Sequence, residues 1–311
     1  MMNKMLKNKL LFIVKYCIGF VLLGWILWRI DRREMVQTLL AFKWETLLLV
    51  FFLALVNLSA QFLRWKYLIK SHSSHFEYKD LLPSFFAGFA FRLMIPGGHA
   101  EITKVFLLPG QKRGKVVAFS VEKFFQTYIK FIFVLLAFPV FYPAYRLLLW
   151  SIAAIGAIAY FFLPALWGLN FMERFREKEL SYKRIFFHTL IYSLVIYICL
   201  IFQYYFLING AGSIGIWETL LSVTMIWGSG LLPISVSGVG VRENTAVFFL
   251  AVYGIPASAA TGIALLIFFI NILLPALIGV AFIFRRRKEL KVAGSIIKTV
   301  TKKIVRKGRF S

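Results

Sequence analysis

Residues 81–95 read Leu81-Leu82-Pro83-Ser84-Phe85-Phe86-Ala87-Gly88-Phe89-Ala90-Phe91-Arg92-Leu93-Met94-Ile95. The run breaks at Pro96-Gly97-Gly98-His99-Ala100-Glu101, and residues 102–108 are apolar again. An α-helix needs about 20 apolar residues to cross ~30 Å of hydrocarbon. The first piece is shorter than that and carries Pro83 and Arg92. The pattern recurs at residues 216–234, which run into Ser235-Val236-Ser237-Gly238-Val239-Gly240-Val241-Arg242-Glu243 before a second apolar piece at 246–253. Each region reads as half-helix, glycine turn, half-helix. Backbone broken in this way survives at membrane depth only where protein buries it or a wet cavity borders it.

Outward from these two regions, six segments are long and apolar enough to span a bilayer: 10–28, 47–63, 116–138, 147–166, 185–208 and 257–284. Of the 311 residues 60% are apolar and 16% charged, whereas a soluble domain is about a quarter charged. The chain is also too hydrophobic for a disordered one. The fold expected is an all-α polytopic membrane protein, with six full transmembrane helices and two re-entrant, glycine-broken helical hairpins of opposite orientation. Residues 1–284 form the transmembrane domain and 285–311 a basic amphipathic cytoplasmic tail. Lys4, Lys7 and Lys9 before the first apolar run resemble a signal peptide. The run is too long for one and no small-residue cleavage site follows Trp28, so it reads as a retained helix.

The net charge of +24 suggests nucleic acid at first sight, but repeated spans exclude that partner. Charge instead reports topology. If both broken regions return to their own side and the N-terminus is cytoplasmic, 27 basic residues lie inside. These include Arg64, Lys66, Lys70, Lys104 and Lys115, and 11 in the tail. Five lie outside: Arg29, Arg32, Arg33, Lys43 and Arg146. If both regions cross fully, the outer count rises to about 14, which the positive-inside rule disfavours. The first hairpin then enters from the cytoplasm and the second from outside, as in inverted-repeat transporters with a midplane site. The expected location is the plasma (inner) membrane, multi-pass, with both termini cytoplasmic.

The two glycine motifs resemble those of a known family. Arg92-Leu93-Met94-Ile95-Pro96-Gly97-Gly98-His99-Ala100-Glu101, with Lys104, Leu107-Leu108 and Glu122-Lys123, is similar to P-G-x-x-G-E-x-x-R-x-x-L-L followed by E-R. Pro233-Ile234-Ser235-Val236-Ser237-Gly238-Val239-Gly240-Val241-Arg242-Glu243 is similar to P-I-S-P-G-G-L-G-V-R-E. Tyr253-Gly254-Ile255-Pro256, with Ala259-Ala260, fits the continuation G-V-P-x-x-x-A. Together they resemble the lysylphosphatidylglycerol synthase transmembrane-region family, the flippase-like integral membrane proteins. Here Ala100 replaces Gly, Lys104 and Lys123 replace Arg, and Val236-Ser237 replace Pro-Gly. Lysine for arginine loses a bidentate fork for phosphate. The resemblance implies the lipid-translocating half without the soluble aminoacyl-transfer domain of the lipid-modifying members, or a related role with polyprenyl-linked sugars.

Charge at membrane depth costs ~2.5–3.5 kcal/mol per residue on insertion scales, so such groups face an interior cavity and pair. Arg92, Glu101 and Lys104 flank the first turn, and Arg242 and Glu243 follow the second. Pro96, Gly97, Gly98, Ser237, Gly238 and Gly240 let backbone approach a headgroup, and His99 is a candidate proton or phosphate partner. Glu122, Gln126 and Lys130 fall at i, i+4 and i+8, a polar stripe ~12 Å long that Lys123 widens. All sixteen are candidate substrate-binding residues. The bland alternative is that Glu101 and Glu243 cap their helices and pair with Lys104 and Arg242, while Glu122 and Gln126 make interhelical contacts. Asn57, Gln61 and Asn271 read as interhelical glue. Glu218 reads as an N-terminal dipole partner.

No P-loop, metal set or hydrolase constellation stands in the sequence, so no cofactor is expected. Cys17 and Cys199 lie in apolar runs. The function expected is translocation of an anionic or aminoacylated phospholipid, or of a polyprenyl-phosphate-linked headgroup. The alternatives are an integral-membrane glycosyl or aminoacyl transferase acting on a lipid carrier, with Glu101 or Glu243 as base, and a non-catalytic partner of a separate synthase. The partners are membrane lipids, with a separate transferase or a second copy left open.

Overall fold

A computed structural model describes residues 20–73, 76–94, 100–110, 112–167, 181–232 and 234–285. Every regular element among the described residues is helical. Five helices are long and apolar enough to cross a membrane: α3 (Trp44–His72), α5 (Arg113–Phe141), α6 (Arg146–Trp167), α7 (Tyr182–Ala211) and the continuous rod Ala257–Arg285. They match five of the six expected spans. The remaining one is described from residue 20 onward, where α1 (Phe20–Arg29) is helical. The basic tail beyond residue 285 lies outside the described residues.

The helices outrun the apolar segments that foretell them. α3 has 29 residues, about 44 Å at 1.5 Å per residue, against ~30 Å of hydrocarbon. Arg64, Lys66 and Lys70 therefore belong to the helix rather than to a loop. The stretch between α1 and α3 is also partly structured. Asp31 caps α2 (Arg32–Leu40) by accepting from the backbone N–H groups of Arg33 at 2.8 Å and Glu34 at 3.1 Å. Met35 and Leu39 on α2 then approach Gly262 of the last rod. That rod is α10 (Ala257–Phe268), a π turn (Phe269–Leu273) and α11 (Leu274–Arg285). Pro275 has no N–H to return to Asn271, and the extra residue of the π turn absorbs the missing bond.

Both broken regions fold back on themselves. The first comprises α4 (Tyr78–Met94) and a 3-10 helix (Ala100–Leu107). The Ser84 hydroxyl donates to the Lys104 carbonyl at 2.8 Å, while Gly88 faces Glu101 and Lys104. Contacts advance along one segment as they retreat along the other, so the two run antiparallel. The second comprises α8 (Ile216–Gly228) and α9 (Val241–Ala251), which pack side by side. Their 13 and 11 residues give about 20 and 16 Å, each too short to span. Gly212, before α8, meets Ile255, after α9, so the chain leaves and returns at one place.

Two apolar cores hold these elements. Trp65, Leu81, Phe85, Leu108, Phe125 and Phe186 surround the first region. Tyr204, Ile226, Ala246, Leu250 and Ile263 surround the second. Phe133 and Trp227 pack against both. Between α3 and α7 the contacts are polar as well as apolar. The Asn57 amide donates to the Ile196 carbonyl at 3.0 Å, and the Gln203 amide donates to the Val50 carbonyl at 3.1 Å and exchanges hydrogen bonds with Asn271. Asn57 and Asn271 thus bridge helices as expected, whereas Gln61 donates to Asn57 of its own helix at 2.6 Å.

α4 lies against α11 at Gly279. A Cβ there would fall 2.1 Å from the Phe86 carbonyl oxygen, and backbone cannot move aside as a side chain can. Gly279→Ala is expected to cost ~1–3 kcal/mol through overpacking. Gly24→Ala, with nothing within 4 Å, is expected to be neutral. Thermal unfolding of the two variants in detergent distinguishes them, and equal midpoints would contradict this packing.

Candidate functional site

The polar residues converge where the two broken regions meet. The meeting is direct: Ser237, in the second turn, donates its hydroxyl to the Arg92 carbonyl near the end of α4 at 3.2 Å. Ser237 holds a positive φ of 54° although it is not glycine, and Gly238 and Gly240 follow at 78° and 80°. That geometry costs a residue with a Cβ about 1 kcal/mol or more. Gly238 and Gly240 therefore serve the turn itself. The Glu243 carboxylate accepts the Gly240 N–H at 2.6 Å and takes Arg242 on its other oxygen at 2.7 Å. The Arg242 guanidinium lies over the Phe268 ring at 4.6 Å.

On the first side the Lys104 ammonium, 1% exposed, donates to Glu122 at 2.6 Å and to Glu101 at 3.1 Å. It also faces the Trp65 ring at 4.0 Å, a favourable cation–π geometry. Glu101 takes Lys123 on its second oxygen, and Lys123 in turn reaches Gln126 at 3.1 Å. Glu122 takes Arg64 on its second oxygen at 3.7 Å, and Arg64 donates to Ser193 of α7 at 3.0 Å. One network thus joins α3, α5, α7 and the first broken region.

Gly88 makes room for it. A Cβ at that position would stand 2.9 Å from the Lys104 side chain and 3.3 Å from that of Glu101. Arg92, Glu101, Lys104, Glu122, Gln126 and Gln61 border a cleft of about 20 Å³ together with two phenylalanines. Lys130 stands further along α5, over the Trp227 ring at 4.7 Å and beside Gly230. Arg92, Lys123 and Arg242 all repel it electrostatically.

The expected stripe Glu122–Gln126–Lys130 therefore faces the interior, but its members have different neighbours. Glu122 is tied into an ion network, and Lys130 has an aromatic face in place of an anion. The pairings Glu101–Lys104 and Arg242–Glu243 are as the spacing suggests. Pro96, Gly97, Gly98 and His99 lie outside the described residues. Arg64 was missed by sequence reasoning, which counted it among the inner topological charges. Its signal was legible: Asn57, Gln61 and Arg64 follow at spacings of four and three, one continuous helix face. No group of three metal-ligating side chains occurs among the described residues.

Comparison with protein families finds a match to the family model described as lysylphosphatidylglycerol synthase TM region, over residues 12–279. No curated protein matches the chain.

Every oxygen of Glu101, Glu122 and Glu243 faces a cation or an N–H group. Removing one partner of a buried ion pair costs ~3–5 kcal/mol, because the other is left uncompensated. Glu122→Gln strands Arg64 and leaves Lys104 with Glu101 alone, and it is expected to lower stability by about that much. Gln126→Ala is expected to cost under about 1 kcal/mol, the net worth of one hydrogen bond. Detergent unfolding of both variants checks this, and equal losses would contradict the network.

Proposed function

The chain belongs to the lysylphosphatidylglycerol synthase TM-region family, and from that membership we propose that it translocates a lipid headgroup across the bilayer. In this reading both broken regions are re-entrant. The first enters from the cytoplasm and the second from outside, so that their tips meet near the midplane of a plasma membrane with both chain termini cytoplasmic. The headgroup passes between the tips while its acyl or polyprenyl tails stay in lipid. The observation that carries the reading is the Ser237–Arg92 contact beside a buried, charged cleft.

At about 20 Å³ the cleft suits a water molecule and is too small for a headgroup. Passage then requires the tips to separate. Among the described residues, which leave out 95–99, the polar link between them is one hydrogen bond, worth ~0.5–1.5 kcal/mol net. The Lys104–Glu122 network stays with the first region and need not break. A transferase reading has less support. Both oxygens of Glu101 and of Glu243 already accept from a cation or an N–H group, so a substrate proton would have to compete for them.

Two measurements check this. In proteoliposomes holding the full chain, transbilayer movement of fluorescent phospholipid and polyprenyl-phosphate probes is expected above the rate of empty vesicles. No excess for any headgroup would contradict the proposal. In a cysteine-free background, Glu77→Cys and Arg113→Cys are expected to label from one side, and Ser213→Cys and Tyr253→Cys from the other. Opposite-side labelling of Glu77→Cys and Arg113→Cys would overturn the first hairpin.

A further inference from the structure

The charges at the meeting point do not balance. Arg64, Arg92, Lys104, Lys123, Lys130 and Arg242 converge there against Glu101, Glu122 and Glu243. The carboxylates are already allotted. Glu122 serves Arg64 and Lys104, Glu101 serves Lys104 and Lys123, and Glu243 serves Arg242 and the Gly240 N–H. Arg92 makes no hydrogen bond to a carboxylate among the described residues and shares the field of Glu101 with Lys104 and Lys123, while Lys130 faces no anion among them. Arg92 comes from the first broken region, Lys130 from α5 and Arg242 from the second region, and the three repel one another. An arginine keeps its charge at any ordinary pH, so proton loss cannot relieve Arg92.

Neutral donors stand nearby as well. The Ser235 hydroxyl in the second motif and the Tyr204 hydroxyl are both buried and have no hydrogen-bond partner. Tyr204 lies within electrostatic reach of Arg242 and Glu243. Buried polar groups of this kind are normally satisfied.

We propose that Arg92, Lys130 and Arg242 form a site for a phosphate monoester carrying two negative charges at the end of a lipid, and that the site rejects cationic, aminoacylated headgroups. This rests on the lipid-translocation reading and narrows it. Arg92, Lys130, Arg242 and Glu243 together hold two positive charges. A phosphate monoester dianion neutralises them, and a phosphodiester does so by half. A lysylated phosphodiester brings net positive charge and adds to the repulsion. The sixteen candidate residues thereby divide. Lys104, Glu122, Glu101 and Lys123 clamp the first broken region, whereas Arg92 and Lys130 face the ligand.

Binding to the full chain in phosphatidylcholine nanodiscs tests the proposal with four probes: phosphatidic acid, phosphatidylglycerol, lysylphosphatidylglycerol and inorganic phosphate. Phosphatidic acid is expected to bind at least tenfold more tightly than phosphatidylglycerol, with the lysylated lipid weakest. Inorganic phosphate competing as well as phosphatidic acid would support the site and name a free anion as its source. Much weaker competition would support a lipid source. Arg92→Gln and Lys130→Met are each expected to lose at least tenfold in phosphatidic acid binding. Lys130→Met is also expected to leave the lipid-free protein as stable or more so, since a repulsive charge is removed, whereas Lys104→Met lowers its unfolding midpoint. The proposal is overturned if the lysylated lipid binds as tightly as phosphatidic acid, or if both variants bind phosphatidic acid normally. Phosphate binding without any lipid movement in vesicles would sink the transport reading and leave this site standing.

Discussion

The carboxylate of Glu122, 2% exposed, sits between Arg64 and Lys104, and the shape of the first broken region depends on that arrangement. A buried charge is tolerated only when it is paired and its remaining lone pairs are used. Lys104 therefore has to come to α5, and it brings the 3-10 helix with it. Glu101 follows because it too needs Lys104 and Lys123. The broken backbone between α4 and α5 is thus fixed by ions at its return limb, and Gly88 supplies the space in which those ions meet.

The second region solves the same problem by other means. Its turn is set by three departures from ordinary backbone within four residues, at Ser237, Gly238 and Gly240. Glu243 closes the turn through the Gly240 N–H rather than through a distant lysine. Two motifs that look alike in sequence therefore do different work. One is a salt-bridged clamp tied to three long helices, and the other is a capped turn tied mainly to itself. Among the described residues the Ser237 hydroxyl joins them through one hydrogen bond, to the Arg92 carbonyl.

Much of this was legible from the residues. The six apolar runs fall on helices wherever the structure describes them, and the second glycine turn falls between the ends of α8 and α9. The pairing of Glu101 with Lys104 and of Glu243 with Arg242 follows from their spacing of three and one. The rest depended on tertiary neighbours. Arg64 reads as a loop charge because the apolar run ends at residue 63, while the helix continues to His72. Local spacing shows that Glu122, Gln126 and Lys130 share a face. It does not show that Lys104 will meet the first of them and Trp227 the last. α2 escaped notice because its stability comes from the Asp31 cap and from packing of Met35 and Leu39 on Gly262, neither of which a short charged stretch announces.

The central claim is that lipid headgroups pass between the tips of the two broken regions. The direct measurement is lipid movement in proteoliposomes carrying cysteines at Leu93 and Ser237, before and after a short thiol-reactive cross-linker joins them. The account predicts movement that stops on cross-linking and resumes when a reductant releases the link. Movement at an unchanged rate with the tips joined would contradict it.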